Sequence, residues 1–432
     1  MFDGLRQRLI SSAYRRDVFL QSAGNSLAQL IGILAMPLIT RIYGPDQFAA
    51  FNIFKELVAG AAILMTLRLE YLVMLPLARE RADDLVRLVA RLAAVHLLVF
   101  TPVLYVVAGW TAMPAALQPV SGWLWAVPLT AFALSWSVAW QQRIQRLGDF
   151  GSSAASEVAG RTSYVASCLV GGVALPSSAG LMLSLGAGAF GKSLWLMRTK
   201  SSSPMDGWGP PREPVDPAIK RLAVSTSVSQ LISLCGSAMP MLFIADAYGT
   251  SALGQYALVV STLYLPSSVM GAAIGQVFYQ RAAQSHGEGR DFFPLYWTTS
   301  TNALRIAVPL FASVALLSPT AYPIVFGSDW VQAGEVARIM ALAAAIGFVS
   351  TALDKSSLVV NAWWYLTAWH LLRSVMVLVT ILVARRLGLD FESFVTWLAV
   401  ASAAAYAIDW VFSGLFSKRR ASDAQSAVER ER

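Results

Sequence analysis

The chain has 432 residues, of which 56% are apolar and only 13% charged, and its mean hydropathy is +0.56. Soluble domains carry roughly 25% charged residues, so this composition excludes an ordinary soluble protein and indicates a membrane protein. The net charge of +8 and the pI near 9.6 are not interpreted as nucleic-acid binding, because they reflect mainly the basic residues between apolar segments.

The apolar segments predict twelve transmembrane helices in two sets of six. A helix needs about 20 apolar residues to cross the hydrocarbon core, where no water satisfies its backbone. The first set covers about residues 18–40, 48–77, 92–109, 121–140, 152–174 and 178–197. The second set covers about residues 223–245, 253–279, 298–317, 336–360, 364–384 and 393–415. The outer loop from about Ser318 to Glu335 is predicted to be the largest on its side.

The positions of Lys and Arg predict the orientation of these helices. With a cytoplasmic amino terminus, 22 of the 33 basic residues lie inside, and only Arg41, Arg385 and Arg386 lie outside. This bias predicts that both termini are cytoplasmic. The first apolar run exceeds the usual length of a signal peptide, and no cleavage site leads into a soluble domain, so we expect a retained first helix.

A repeated segment predicts that the two sets of helices arose by duplication. Ser26–Phe51 returns as Ser227–Tyr256. Gln29 matches Gln230, Met36-Pro37 matches Met239-Pro240, and Tyr43-Gly44 matches Tyr248-Gly249. Because six spans separate the copies, both halves begin on the same side of the membrane, as in parallel-repeat transporters.

The predicted fold is therefore all-α, with two six-helix bundles. The bundles cover residues 1–200 and 221–416. A Ser-, Pro- and Gly-rich cytoplasmic linker, residues 201–220, joins them, and residues 417–432 form a charged cytoplasmic tail.

Charged residues inside the predicted helices are the main candidates for function. Each costs at least about 2.5–3.5 kcal/mol at the centre of a membrane helix unless it has a partner, a water-filled cavity or a role. Arg68, Arg161 and Arg373 lie about nine residues from the cytoplasmic end of their helices, roughly 14 Å deep, and Lys192 and Arg305 are slightly shallower. Cations from both halves at one depth suit a shared cavity that binds an anion from the cytoplasm. The guanidinium fork of Arg suits phosphate in particular.

The alternative for these cations is a structural role, either snorkelling to the cytoplasmic surface or neutralising Glu70 and Glu157. Glu157 and Arg161 are four residues apart, on one helical face and in the order that favours an ion pair. Gln29 and Gln230 are equivalent candidates for the polar lining of the cavity. Glu70, Asp354 and Asp409 are candidates for proton coupling.

Cysteine and histidine give no sign of a disulfide framework, a metal site or a cofactor. Cys168 and Cys235 lie in predicted spans, and His96, His286 and His370 are scattered.

Four segments together resemble the polysaccharide exporter branch of the multidrug, oligosaccharidyl-lipid and polysaccharide transporter superfamily, which includes O-antigen flippases. They are PLITRIYGPDQFAAF (Pro37–Phe51), TLRLEYLVMLPLA (Thr66–Ala78), LYLPSSVMGAAIGQVFYQRAAQ (Leu263–Gln284) and FGSDWVQAG (Phe326–Gly334). By position, Arg68 and Glu70 match the arginine and glutamate of the family's second helix, whereas Arg305 and Arg373 match no family motif. Ala49 departs from the family's usual Gly, which the second half has at Gly254.

The resemblance implies a central cavity that opens alternately to either side of a bacterial inner membrane. It also implies a non-enzymatic flippase that moves a polyprenyl-pyrophosphate-linked oligosaccharide to the outer leaflet for surface polysaccharide or lipopolysaccharide synthesis. The partners would be this substrate, membrane lipids, a proton or sodium ion, and other polysaccharide-assembly proteins.

Three alternatives remain open. A multidrug antiporter should favour acidic over basic residues in its helices, which is not the pattern here, and a peptidoglycan-precursor flippase usually has two further helices. A membrane glycosyltransferase or polymerase generally needs a large external loop, and none of the predicted outer loops provides one.

Overall fold

The computed structural model of the protein describes residues 2–75, 79–109, 113–175, 177–199 and 215–418. These residues form 14 α-helices with four short 3-10 or π-helical turns, and they contain no β-strand. The chain divides into two compact units, Met1–Leu231 and Ile232–Arg432. Two predicted segments fall largely outside the described residues: 201–214 of the linker and 419–432 of the tail.

The first unit begins with the amino-terminal helix. Its elements are α1 (Phe2–Ile42), α2 (Pro45–Thr66), a 3-10 turn (Leu69–Met74), α3 (Arg79–Ala108), a 3-10 turn (Ala115–Trp123), α4 (Ala126–Arg146), α5 (Phe150–Ala174), α6 (Ser178–Met197) and the first half of α7 (Pro217–Ala247).

The second unit continues from within α7. Its further elements are α8 (Gly249–Leu263), a π-helical turn (Ser267–Gly271), α9 (Ala272–Gly287), α10 (Phe293–Phe326), a 3-10 turn (Ser328–Trp330), α11 (Val331–Leu353), α12 (Ser356–Val359), α13 (Trp363–Leu387) and α14 (Phe391–Ser417).

Each of the twelve predicted spans is mainly helical, which confirms the all-α fold. Within the described ranges, nine helical segments are long and apolar enough to cross a membrane. A tenth joins the turn Ala115–Trp123 to α4 across a bend of 73°. The remaining two spans, α5 and α6, are helical, and their charged residues Glu157, Arg161 and Lys192, together with many Gly and Ser residues, lower their mean hydropathy.

Four spans that the sequence predicts as continuous are interrupted. The second breaks at Leu67 and Arg68, the fourth bends between Trp123 and Ala126, the eighth is interrupted around the π-helical turn Ser267–Gly271, and the tenth is interrupted at Asp354 and Lys355. A further prediction was wrong: no large outer loop covers Ser318–Glu335. Instead, α10 continues to Phe326 and α11 begins at Val331, because transmembrane helices tolerate prolines such as Pro319 and Pro323.

Glycine contacts bring α5 and α6 together. A Cβ atom added to Gly188 would lie 3.0 Å from the Tyr164 Cβ and 3.2 Å from the Gly160 carbonyl oxygen. A Cβ added to Gly171 would lie 3.0 Å from the Gly180 Cα. Small residues allow this close backbone approach, which stabilises helix pairs in lipid by dispersion rather than by the hydrophobic effect.

The repeated tyrosines have the same role in each unit. The Tyr43 hydroxyl, at the end of α1, donates a 2.9 Å hydrogen bond to the Cys168 carbonyl of α5. The Tyr248 hydroxyl, at the end of α7, donates a 2.9 Å hydrogen bond to the Leu389 carbonyl just after α13. Because α5 and α13 are the fifth spans of their halves, the tyrosine of each repeat forms a hydrogen bond between the end of the first span and the fifth span.

Apolar cores support both units. In the first unit, α3, α4 and the turn Leu69–Met74 pack around buried side chains such as Val73, Val86 and Ile144. In the second unit, α11 is the most buried span, and Phe348 on this helix is fully inaccessible. Large apolar side chains such as Leu98 and Leu316 remain exposed, as expected for surfaces that face lipid.

Candidate functional site

The candidate site of the first unit starts at a break in the second span. α2 ends at Thr66, and Leu67 and Arg68 then both adopt left-handed backbone conformations, with φ of 50° and 57°. Each left-handed residue other than glycine costs roughly 1–2 kcal/mol. Such strain persists only where the surroundings hold it, and it is concentrated at functional sites.

Two contacts hold the turn Leu69–Met74 that follows the break. Leu69 and Val73 are buried against α3 and α4. The Arg146 guanidinium, at the end of α4, donates a 2.9 Å hydrogen bond to the Met74 carbonyl and a 3.4 Å hydrogen bond to the Val73 carbonyl. The turn is therefore anchored at its far end, while the strained pair lies at its near end.

Arg68 projects from this break onto three neighbours. Its Nη1 atom lies 3.7 Å from the Glu70 Oε1, and its Nη2 atom lies 3.4 Å from the Gln230 Oε1. Its Cζ atom lies 5.1 Å from the ring centroid of Tyr71. The side chain remains 22% exposed, so its contacts leave part of the guanidinium open to a ligand.

Glu70 is the buried partner of this arginine. Only 1% of the residue is exposed. The Oε2 atom accepts no hydrogen bond from any described residue. A buried acceptor that lacks a donor costs about 1–3 kcal/mol, more when it is charged, so this oxygen is suited to hold a proton or to accept a donor from a ligand.

Glu157 on α5 forms a second ion pair close by. Its Oε1 atom lies 2.8 Å from the Lys192 Nζ of α6 and accepts a 2.8 Å hydrogen bond from the Gln141 Nε2 of α4. Its pair is therefore with Lys192 and not, as the four-residue spacing suggests, with Arg161. The glycine packing explains this: a Cβ added to Gly160 would lie 3.0 Å from the Lys192 Cβ, which brings Lys192 to the face of α5.

Arg161 is thereby left with an exposed side chain. Its Cζ atom lies 5.8 Å from the Tyr164 ring centroid. Its Cδ atom is 3.4 Å from the position that a Cβ at Gly32 on α1 would occupy. Gln29 is half-buried and precedes Gly32 by three residues, which puts the two on one face of α1. The α1 face that carries Gln29 is therefore the face that meets Arg161.

We call Arg68, Glu70, Glu157, Arg161 and Lys192 the N-half charged cluster. Tyr71 lies near both of its parts, within electrostatic reach of Arg68, Glu70 and Glu157. Glu157 in turn interacts with Arg161. Three cations face two carboxylates, so the cluster carries one net positive charge within the membrane-spanning helices.

The predicted acids of the second unit have different surroundings. Asp409 on α14 is 5% exposed and accepts hydrogen bonds from the Tyr365 hydroxyl at 2.9 Å and from the Ser350 hydroxyl. These bonds tie α14 to α13 and α11. Asp354 is exposed at the end of α11, and the neighbouring Lys355 Nζ lies 6.0 Å from the Tyr279 ring centroid.

The predicted arginines of the second unit do not share one site. Arg373 on α13 lines a cavity of about 350 Å³ within this unit. Arg305 on α10 is exposed, donates a 3.2 Å hydrogen bond to Asn302 one turn earlier, and does not line that cavity. A role for Arg305 in substrate binding stays a prediction.

Sequence reasoning missed several partners of these charges. They are Tyr71, Gln141, Arg146, Ser350 and Tyr365. Tyr71, next to Glu70, lies inside a segment already singled out. The others are ordinary polar residues far from their partners in sequence, so no local pattern marks them.

Comparisons with known proteins agree with the resemblance of the sequence. The sequence model of a family described as polysaccharide biosynthesis protein matches residues 218–335. No curated protein matches the chain.

Solved structures match over nearly the whole chain. One is a multidrug resistance transporter of the MATE family, of the MOP superfamily, in its inward-facing conformation, with a TM-score of 0.65, 14% identity and coverage of 94% of this chain and 96% of that one. Another is the lipid II flippase MurJ in an inward closed conformation, with a TM-score of 0.64, 12% identity and coverage of 91% and 87%.

A third match is a MOP superfamily transporter from Pyrococcus furiosus, whose binding pocket is described as having reverse polarity, suggesting a different function. Its TM-score is 0.59, with 14% identity and coverage of 93% of this chain and 94% of that one. At such low identities these likenesses show the fold alone. The fold of this chain is therefore the one that these solved membrane proteins share.

Proposed function

We propose that this chain, a multi-pass membrane protein with the fold of the MOP superfamily and a partial match to the polysaccharide biosynthesis family, is a flippase for a lipid-linked oligosaccharide. The substrate is an oligosaccharide on polyprenyl pyrophosphate, which moves from the cytoplasmic to the outer leaflet for surface polysaccharide or lipopolysaccharide synthesis. The observation that carries this proposal is the N-half charged cluster, an excess of cations where lipid-embedded helices would otherwise exclude charge.

The arginines of the cluster are the proposed contacts for the pyrophosphate. Lys192 is already neutralised by Glu157, with 2.8 Å between the charged atoms. Arg68 shares a looser 3.7 Å contact with Glu70, and Arg161 has no ion-pair partner within 4.0 Å among the described residues. Arg68 and Arg161 therefore retain guanidinium donors for phosphate oxygens. Gln230, which already contacts Arg68, and Gln29 add amide donors for the pyrophosphate or the sugars.

Transport requires no covalent change. The cluster offers the polar head group an alternative to hydrocarbon, while the polyprenyl chain stays in the bilayer. Alternating access, in which the site opens first to one side and then to the other, completes the proposal. The strained pair Leu67–Arg68 is suited to act as a hinge, because strain at one end of an anchored turn lowers the cost of leaving that conformation.

The membrane potential supplies one energy source. An inside-negative potential favours the outward movement of an anion by about 2.3 kcal/mol per charge per 100 mV.

A coupled proton or sodium ion is the second proposed energy source, and the Oε2 atom of Glu70, which accepts no hydrogen bond from the described residues, is the best site for it. Asp409 is less suited because two hydroxyl groups already satisfy it, whereas Asp354, which interacts electrostatically with Lys355 and Asp409, stays a candidate.

The proposal includes a location and partners. We place the protein in a bacterial inner membrane with both termini in the cytoplasm, on the basis of the distribution of Lys and Arg. Its partners are membrane lipids, the lipid-linked substrate and other polysaccharide-assembly proteins.

Transport by purified protein in liposomes tests the function. The substrate is a polyprenyl-pyrophosphate oligosaccharide with a fluorophore on its glycan, and dithionite bleaches only the fluorophore in the outer leaflet. We expect the protein to raise the bleached fraction above that of empty liposomes. We expect the double variant Arg68→Gln/Arg161→Gln to lose most of this activity. Arg290→Gln, which changes an exposed arginine in the turn after α9, is the matched control and should retain it.

The competing functions give other outcomes. Transport of lipid II without transport of the polyprenyl-linked oligosaccharide would assign a peptidoglycan-precursor flippase. Proton-driven export of a cationic dye alone would assign a multidrug antiporter, and the MATE-family structure is described as a multidrug resistance transporter. Elongation or transfer of the glycan would assign a membrane glycosyltransferase or polymerase. Each of these results overturns the proposal.

A further inference from the structure

The second unit contains a cavity of its own. Its volume of about 350 Å³ lies in the range of small-molecule sites, roughly 300–1,000 Å³. It is bounded by side chains from α7, α8, α11, α13 and α14 and from the turn Ser267–Gly271. A space of this size admits a small chemical group and not a whole oligosaccharide.

Arg373 is the charged residue of this cavity. The residues that line it include no Asp or Glu. Within the described part of the chain, no carboxylate lies within 4.0 Å of the Arg373 guanidinium, and this guanidinium makes no hydrogen bond. A cation on a membrane helix without a counterion is costly, so the cavity is suited to receive an anion.

Ser267 gives an independent indication of a ligand. Ser267 is one of the residues that line the cavity, the residue is only 5% exposed, and its buried Oγ atom has no hydrogen-bond partner among the described residues. It begins the π-helical turn Ser267–Gly271, and such turns occur frequently at functional sites. A buried hydroxyl that bonds to nothing in the protein is free to bond to a guest.

Two tyrosines give the cavity aromatic walls. The ring centroids of Tyr264 and Tyr406 lie 6.5 Å apart, with their planes inclined by 49°. The negative face of an aromatic ring attracts the C–H groups of a pyranose ring. The cavity thus combines one guanidinium, one unbonded hydroxyl and aromatic faces, which together match an acidic sugar.

We propose that this cavity binds the carboxylate-bearing sugar of an acidic glycan, with Arg373 paired to the carboxylate and Ser267 bonded to a carboxylate or ring hydroxyl oxygen. The proposal deepens the proposed flippase function and rests on it. One guanidinium matches a monoanionic carboxylate through two parallel hydrogen bonds. A pyrophosphate carries more charge and is better matched by the several cations of the N-half charged cluster.

Binding of small probes to the protein in lipid nanodiscs tests the site. The probes are methyl β-D-glucuronide and the neutral methyl β-D-glucoside, both observed by saturation-transfer NMR, and inorganic pyrophosphate serves as the competitor. We expect the glucuronide to bind at least tenfold more tightly than the glucoside, with the strongest transfer to its ring protons. Equal binding of the two sugars, or displacement of the glucuronide by equimolar pyrophosphate, would overturn the proposal.

Variants of the full-length protein locate the binding. Arg373→Gln should weaken binding of the glucuronide at least tenfold, and Ser267→Ala should weaken it several-fold without loss of thermal stability. Arg290→Gln is the control and should bind as the unchanged protein does. If Arg373→Gln does not fold, Ser267→Ala carries the test, because the serine hydroxyl has no partner to lose. Unchanged affinity in the folded variants would show that the glucuronide binds elsewhere.

Transport separates this inference from the function on which it rests. In liposomes, Arg373→Gln should slow the flipping of a lipid-linked glucuronic-acid oligosaccharide at least fivefold more than it slows the flipping of the neutral analogue. Equal effects on both substrates would refute the acidic-sugar site while the flippase function stands. If the unchanged protein flips neither substrate, the flippase function itself fails.

Discussion

The Nζ atom of Lys192 lies 2.8 Å from the Oε1 atom of Glu157, and this contact joins α6 to α5 in the charged interior of the first unit. Removal of one partner leaves the other charge uncompensated in a partly buried site. We expect Glu157→Gln and Lys192→Met each to lower the free energy of unfolding by about 2 kcal/mol. The double variant should lose less than the sum of the two. A double-mutant cycle on thermal unfolding in detergent measures this coupling.

The hydroxyls of Tyr43 and Tyr248 are expected to contribute equally to their two units. Tyr43→Phe and Tyr248→Phe each remove one hydrogen bond to a backbone carbonyl, which should cost about 1 kcal/mol. Burial, with a smaller contribution from Cys168, raises the pKa of Tyr43 to about 12. The hydroxyl thus remains a donor throughout the neutral range, and the loss should not vary with pH there. A loss in only one of the two variants would contradict the equivalence of the repeats.

The left-handed residues of the second span predict an unusual response to glycine. Leu67→Gly relieves the backbone strain, so we expect stability to stay unchanged or to rise by up to about 1 kcal/mol. Leu64→Gly is the matched control, because Leu64 is similarly exposed but lies within the regular part of α2. The control should cost about 1 kcal/mol. If Leu67→Gly destabilises the protein as much as the control does, the backbone at Leu67 is not strained.

Two glycines of α6 predict opposite effects of one added methyl group. A Cβ at Gly188 would meet the Gly160 backbone, whereas a Cβ at Gly186 would meet nothing nearer than the Thr130 Oγ1 at 3.8 Å. We expect Gly188→Ala to destabilise by about 1–3 kcal/mol and Gly186→Ala to be neutral or stabilising. Thermal unfolding of the two variants measures the difference. Equal effects would mean that α5 and α6 are not in close backbone contact.

Arg68→Lys tests whether transport depends on the positive charge at position 68 or on the planar shape of the guanidinium. The lysine keeps the positive charge but loses the planar fork that binds phosphate oxygens in pairs. We expect transport of the lipid-linked oligosaccharide to fall about tenfold in Arg68→Lys and further in Arg68→Gln, measured by dithionite bleaching. Full activity of Arg68→Lys would show that charge alone suffices at this position.

The sequence predicts the helices better than it predicts their interruptions. Runs of apolar residues mark the spans because lipid imposes one length on every crossing helix. The break at Leu67–Arg68 carries neither Gly nor Pro, so it arises from tertiary contacts, such as those of Arg146, and not from a local breaker. The π-helical turn Ser267–Gly271 follows Pro266, yet a proline alone does not distinguish a kink from a π turn.

Part of the N-half charged cluster could also be predicted from the composition of the spans. Arg68, Glu70, Arg161 and Lys192 stand out because charges are rare in apolar helices, and the structure brings them into one cluster. The partner of Glu157 could not be predicted from its own helix. It depends on the close approach of α5 and α6, which the side-chain spacing along one helix does not encode. The association of Arg373 with an unbonded Ser267 likewise depends on the packing of separate helices.

The glycine-mediated contact of α5 and α6 has a consequence for how the protein is made. A translocon releases segments into lipid according to their hydropathy, and these two helices carry Glu157, Arg161 and Lys192 in otherwise apolar sequence. Neither should therefore leave the translocon efficiently on its own. We expect the two to insert together as a hairpin, with Lys192 and Glu157 shielding each other during entry. Synthesis of the first unit would then have a late, cooperative step that depends on both helices being complete.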